Sequence, residues 1–482
     1  LPSGAEWRGA ELSNLLARAA AGDIPGEDAI YRLTGAVDMA RPGVPSGAFQ
    51  AGHGAAVATL AAGFDPADPQ ARNHPLIAVC LPPRITADSS GVLAPVPILA
   101  GILFIITRAR RLCRFIEGQG GHPPGSVRLP VVINISLGLT AGPRDGSTLI
   151  ERFMDAVSDR QAPDLGRVHF VLPSGNHRQD RLRARLRPGQ QIRWRLPPDD
   201  STLNAIEIWG PPHAHPPRGD LQVTLTAPGL APATTAFALP WQHSTLSGPD
   251  GVPLARAYYT PHLTRDGQWR DGIAVIATPT CPDRVGEAFA PPGEWQVQIA
   301  EASPDGIYDL SVQRDAVIRG FRRGARQSRF HDPAYHSHDA AGFPILTDAL
   351  NGGDPLVIRT DTVNTYATGD WPLRAGSVCR QDDRTTASTA LLGDGQPGDC
   401  LAPVDGAMNR SGMIVRGRDS GSFARSTGTS LAAPQLARWL AVKLSQGHAL
   451  DSRAAIRTLA QGQSSRPLPT PIVDFPTHFP EF

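Results

Sequence analysis

The sequence predicts an α/β fold: a parallel sheet with helices on both faces, interrupted by an all-β segment. Three observations carry this. Short, wholly apolar runs alternate with helical stretches toward both ends of the chain. Between about 180 and 318 the texture changes to period-two runs separated by Pro/Gly turns, with no convincing helix among them. Gly (49) and Pro (47) are plentiful among the 482 residues, which argues against an all-helical protein.

The first part spans 1–179. Glu11 to Ala21 reads as a short helix ending near Gly22, and Ala36 to Met39 as a strand. A helix of small residues opens at Gly52 (GHGAAVATLAAG), with Gly63 as its C-cap. Leu76 to Leu81 (LIAVCL) reads as a buried strand and Leu99 to Ile116 as a helix. Val131 to Gly138 (VVINISLG) is a second buried strand, and Leu149 to Arg160 a helix. His169 to Leu172 is a third buried strand, running into Pro173-Ser174-Gly175-Asn176. Ser136 and Asn176 therefore fall at carboxyl ends of strands, where functional groups gather in open α/β sheets.

From 180 to 318 a β-sandwich or jelly roll is expected. It opens with a hairpin over Arg181 to Leu196 that turns at Pro188-Gly189. Strands follow at 204–209, 221–226, 273–278, 294–299 and 307–313. The arginines at 181, 183, 185, 193 and 195 read as the solvated face of that hairpin, or as a binding stripe. Residues 319–354 read as a linker. The α/β texture returns over 355–465, with strands at Pro355–Thr360 and Val363–Ala367, a compact turn at Leu401-Ala402-Pro403, and a helix from Gly428. Residues 466–482 form a Pro-rich tail. The β segment thus reads as inserted into the α/β domain.

Bulk properties exclude several classes. A 41% hydrophobic and 19% charged composition fits a globular protein. A formal net charge of +1 gives no field to draw in nucleic acid. The longest apolar run, Val92 to Thr107, is short for a membrane span and contains Pro95 and Pro97, so it reads as a buried helix. The five cysteines contain no CxxC pair, and Cys379 and Cys400 could be joined across a loop or be two buried thiols. The first residues, Leu1-Pro2-Ser3-Gly4, lack the features of a signal peptide and an initiator Met. Compartment and oligomeric state are open; a secreted or periplasmic location would follow from a signal carried upstream.

Three local patterns carry chemistry. Gly428-Thr429-Ser430-Leu431-Ala432-Ala433-Pro434 puts a serine on the first turn of a helix, where N–H groups and the positive dipole end meet a developing oxyanion. A serine there is otherwise a cap. Gly52-His53-Gly54 sets an imidazole, suited to general-base work near neutral pH, at a helix head. Ser174-Gly175-Asn176 follows a buried strand and offers an amide donor; alone it is an ordinary turn.

In this order, His53, Asn176 and Ser430 resemble the subtilisin family of serine peptidases. GHGAAV matches its histidine motif, VVINISLG its substrate-edge strand, LPSGN its oxyanion motif and GTSLAAP its serine motif; DCLAPVDG (399–406) resembles the segment preceding the serine motif. The resemblance covers about 36–178 and 355–445. It implies that Ser430 is the nucleophile, His53 the general base, and the Asn176 amide with the Ser430 N–H the oxyanion hole. It implies that Ser136, Leu137 and Gly138 pair with an extended peptide substrate, and that Pro173, Ser174 and Gly175 line the first specificity pocket. No cofactor or catalytic metal is implied, although calcium often supports the family fold.

Two features depart from the pattern. The family's second histidine is here Ala56. The triad aspartate has no match before His53: its strand is expected upstream of Leu1, with Asp38 as a weaker substitute. The competing expectations are an inactive scaffold of the same fold, and a binding protein acting through the sandwich, with Trp194, Trp209 and Trp295 as stacking platforms or as core. An α/β-hydrolase esterase is disfavoured because Ser430 lies in G-T-S-L-A.

Overall fold

A computed structural model describes residues 5–34, 52–63, 74–82, 85, 90–160, 163–282, 284, 286–301, 306–316, 324–348, 355–417, 422–463 and 469–473. The expected strand at Ala36–Met39, and Asp38 with it, lie outside these residues. The architecture is mixed α/β, with a parallel sheet and additional antiparallel sheets.

The parallel sheet has the order β1-β2-β15-β16, with β1 Val131–Asn134, β2 Val168–Pro173, β15 Leu373–Cys379 and β16 Cys400–Asp405. Every residue of β2 is buried, which explains a sequence that is apolar at every position except His169. Its alternate side chains enter two different cores. Val171 points to the face covered by α3 (His53–Ala62), α6 (Thr429–Ser445) and α7 (Arg453–Gln463). Phe170 and Leu172 point to the face covered by α4 (Pro95–Gly120) and α5 (Leu149–Asp159). Two further helices, α1 (Gly9–Ala20) and α2 (Glu27–Leu33), share a small core of Leu15, Ile24 and Ile30.

Several expectations about local structure change. The Leu76–Leu81 run is no strand: Leu76 is 57% exposed, and no described strand lies beside β1 to pair with it. Ile77 and Leu81 instead rest on the α4 core. Pro355–Thr360 and Val363–Ala367 are loops, apart from one bridge from Val357 to Ala184. Leu401-Ala402-Pro403 is no turn but the middle of β16, and β15, unmarked in the sequence reading, lies next to it. Pro403 is tolerated because β16 ends the β1-β2-β15-β16 ladder, where a missing N–H breaks no bond to an inner strand. Cys379 and Cys400 are free thiols. They sit at opposite ends of the β15–β16 ladder, with Ala375 opposite Cys400 and Cys379 opposite Asp405, so no bridge can span them. The prolines at 95 and 97 start α4 rather than interrupt it. No described helix is long and apolar enough to cross a membrane.

The segment between β2 and β15 forms two antiparallel sheets. One has the order β3-β13-β5-β11-β9-β8 with β10 beside β11; the other is β14-β4-β12-β6-β7. Here β3 is Arg183–Leu186, β4 Gln191–Leu196, β5 Asn204–His213, β6 Gln222–Thr226, β7 Ala233–Thr234, β8 His243–Ser247 and β9 Pro253–Tyr259. The rest are β10 His262–Leu263, β11 Trp269–Ala277, β12 Gly293–Glu301, β13 Tyr308–Val312 and β14 Arg329–His331. Both sheets contribute to one core, in which Trp194 and Trp295 meet edge to face at 6.1 Å.

The Arg181–Leu196 stretch is not a hairpin: β3 and β4 belong to different sheets. The Pro188-Gly189 turn therefore carries the chain across the core. Arg183 is buried rather than solvated, and its guanidinium pairs with Asp309 and Asp361. A buried guanidinium requires such partners. Trp194 and Trp295 are fully buried and Trp209 is 7% exposed, so none of the three is a stacking platform. β14 lies in the expected linker, and Val473, in the expected tail, is buried and donates its N–H to Leu401 O at 2.8 Å.

Candidate functional site

The site collects at the carboxyl ends of β1 and β2 and at the N-terminus of α6. Beyond β1, the Ser136 hydroxyl accepts from Asn134 Nδ2 at 3.0 Å and donates to the Ser430 carbonyl at 2.9 Å. This ties the first predicted substrate segment to the first turn of α6. Leu137 is 37% exposed. Gly138 is obligatory: a Cβ there would come within 2.1 Å of Asn364 Oδ1.

Asn364 joins the two predicted substrate segments. Its Nδ2 donates to Leu137 O at 3.0 Å and to Pro173 O at 3.3 Å, and its Oδ1 accepts from Leu139 N at 3.2 Å and Tyr366 N at 3.0 Å. Its own N–H donates to Ser174 O at 2.7 Å. The sequence reading missed this residue, because an Asn in an irregular loop carries no periodic signal. The sequence over Val363–Ala367 reads as a strand, but the segment is a loop.

Beyond β2, Ser174 is fully buried and donates its N–H to Ala375 O at 2.9 Å. Gly175 has φ +123°, open to glycine, and Ala390 Cβ would lie 3.1 Å from any Cβ added there. Its N–H donates to Thr429 Oγ1 at 3.1 Å. Asn176 follows. Its Oδ1 accepts from the Thr429 N–H at 2.8 Å and from Thr429 Oγ1 at 2.9 Å. With the oxygen committed, Nδ2 is left as the donor, and it has no acceptor among the described residues.

Ser430 is half-buried on the first turn of α6. Its N–H is among those that an α-helix leaves without an internal acceptor. Gly428 (φ +111°) caps the helix, and a Cβ there would meet the Asn176 amide at 3.0 Å. The close approach of Asn176 to the serine loop thus needs glycine at 428.

His53 is the first residue of α3, which packs on α6 through Ala56 and Leu60. Ala56 is 1% exposed, so the position that departs from the family motif holds a small core residue. Arg438 Nη1 donates to Gly63 O at 3.3 Å and ties the far end of α3 to the same helix. His53 is solvent-exposed as a residue. The protein packed around it, then the Arg314 charge, lower its pKa. Among the described residues no carboxylate pairs with His53, and no hydrogen bond joins it to Ser430. No group of three or more His, Cys, Asp or Glu among the described residues is placed to hold a metal ion.

The fold is of a kind that a protease also has. In overall structure the chain is similar to the CspB protease of Clostridium perfringens, at 14% identity and a TM-score of 0.55, over 87% of this chain and 77% of that one. No protein-family model matches the sequence, and no curated protein matches it.

Proposed function

We propose that the chain is a subtilisin-like serine endopeptidase, with 180–318 as the bulk of an inserted β-sandwich. The observation that carries the reading is the pair of hydrogen bonds that Thr429 donates to Asn176 Oδ1, which aims an amide donor beside the proposed nucleophile. Ser430 Oγ attacks the scissile carbonyl while His53 takes its proton. The Asn176 amide and the Ser430 N–H stabilise the resulting oxyanion. His53 then passes the proton to the leaving amine, and water hydrolyses the acyl-enzyme by the same route. Ser136, Leu137 and Gly138 pair with the extended peptide, and Pro173, Ser174 and Gly175 line the pocket for the residue before the scissile bond.

A second reading, an inactive scaffold of the same fold, is favoured by one observation: His53 has no carboxylate partner among the described residues. Loss of the aspartate alone costs on the order of 10⁴-fold in kcat in such triads. Labelling by a fluorophosphonate probe, compared with Ser430→Ala, separates the two. Labelling that disappears in the variant supports an assembled nucleophile. Absence of labelling at every pH supports the scaffold.

A further inference from the structure

Beyond β13 the chain crosses back from the antiparallel sheets to the predicted substrate edge. Val312 O accepts from Thr140 Oγ1 at 2.9 Å, and Gln313 Nε2 donates to Ser90 O at 2.6 Å. The Ser90-Gly91 turn lies against Leu139, since a Cβ on Gly91 would fall 2.7 Å from Leu139 Cδ2. Both anchors are thus next to the Ser136-Leu137-Gly138 segment. Arg314 follows them directly. Its charge acts on His53 on one side and is drawn to Asp180, just beyond Asn176, on the other. It is therefore close enough to act on the proposed base and to feel the segment that carries the proposed oxyanion donor.

The Arg314 guanidinium feels the Asp180 charge without forming an ion pair with it. Asp180 is engaged with His177 Nδ1 at 2.7 Å. Arg314 is half-buried, its Nε is buried without an acceptor, and it has no ion pair among the described residues. At the nearby junction of the antiparallel sheets Arg183 and Arg270 hold carboxylates, and Arg144 spends its donors on Val363 O, Ser311 Oγ and Thr140 O. A half-buried cation with an unpartnered donor is suited to an anion that arrives with the ligand.

We propose that Arg314 is a specificity residue of the cleft, binding a carboxylate of the peptide substrate beside the scissile bond. The inference rests on the peptidase reading and deepens it. The chain therefore selects acidic peptides, although its own net charge is close to neutral.

The test uses the full chain carrying Ser430→Ala, so that peptides bind without turnover. Fluorescently labelled, C-terminally amidated peptides differ only by Glu or Gln on either side of one bond, and binding is read by anisotropy. An all-Gln peptide with a free C-terminal carboxylate separates a side-chain acid from a chain end. The expected result is Glu peptides binding on the order of tenfold tighter than Gln peptides. Arg314→Glu should reverse that order and Arg314→Lys should keep most of it, with melting temperatures matching the parent. An unchanged Glu-to-Gln ratio in Arg314→Glu, no preference in the parent, or no binding of any peptide would overturn the proposal. A preference that persists while wild-type Ser430 resists fluorophosphonate would sink the peptidase reading and leave acidic-peptide binding standing.

Discussion

Asn176 Oδ1 accepts both hydrogens that Thr429 offers, from its backbone N–H at 2.8 Å and its hydroxyl at 2.9 Å. A planar amide fixed by its oxygen also has its Nδ2–H directions fixed, so the donor is preorganised before any substrate arrives. Preorganised donors act where charge develops and need no reorganisation in the transition state. Asn176→Ala should therefore lower kcat about 10²- to 10³-fold with little change in KM. Thr429→Val keeps the N–H but loses the hydroxyl, which is also the acceptor for Gly175 N–H. A loss nearer tenfold is expected there, for about one net hydrogen bond. Steady-state kinetics on one peptide checks both, and an Asn176→Ala enzyme as fast as wild type would rule out the oxyanion role.

Asn364 makes its side-chain bonds at a position only 4% exposed. Asn364→Ala should strip donors and acceptors from Leu137, Leu139 and Pro173 together, for a destabilisation of about 2–4 kcal/mol. Gly138→Ala should have a similar cost through the clash with Asn364 Oδ1. Denaturant midpoints at constant m would establish the loss, and the surviving activity should show a raised KM because the substrate segments have lost their brace.

The pKa of His53 is lowered by burial and then by Arg314. A general base works in its neutral form, so the acid limb of kcat/KM should lie below the ordinary histidine range near 6.5. Removing the Arg314 charge leaves the burial contribution and moves the limb upward. A pH–rate profile of Arg314→Gln against wild type reads this directly, and coincident limbs would show that Arg314 does not act on the base.

His169, in the middle of β2, is buried, and its Nε2 has no partner. Burial, then the Arg167 charge, push its pKa down to about 4. The sign follows from linkage: below 6.5 the unfolded chain takes up a proton that the folded chain refuses. Stability contributed by this site is complete above about 6.5 and falls as pH drops toward 4. The expected loss is on the order of 3 kcal/mol over that window. Melting temperatures from pH 7.5 to 4.5 should fall more steeply in wild type than in His169→Phe.

Cys379 and Cys400 sit far apart along their ladder, and burial raises the thiol pKa of each, of Cys379 to about 11. Neither should react with a thiol reagent in the native protein, and both should do so after unfolding. A melting temperature that drops on adding reductant would contradict the free-thiol state.

Much of the fold was legible because burial on two faces leaves a direct trace. β2, His169 apart, and the start of α6 are apolar or small, and such runs announce themselves. β15 and β16 were not recognised, since Arg374, Gly376, Ser377 and Pro403 break their runs, and what makes them strands is the ladder with β2. The 76–81 run erred in the other direction: its residues have strand character, but a strand needs a neighbour. The same limit explains the misread arginine stretch. Alternation gives the period of β3 and β4 but not whether they face one another or belong to different sheets.

By itself the sequence determined the residue types and order of the candidate chemistry: a serine on a helix of small residues, an asparagine after a buried strand, and a histidine at a helix head. Those signals are local, fixed by neighbours a few positions away. The tertiary structure alone decided which distant groups hold them: Thr429 on Asn176, Asn364 between 137 and 173, Arg314 beside His53. Those partners lie from about 190 to about 260 residues apart in sequence, and no short-range pattern encodes a hydrogen bond or a charge that the chain must close a sheet to bring near.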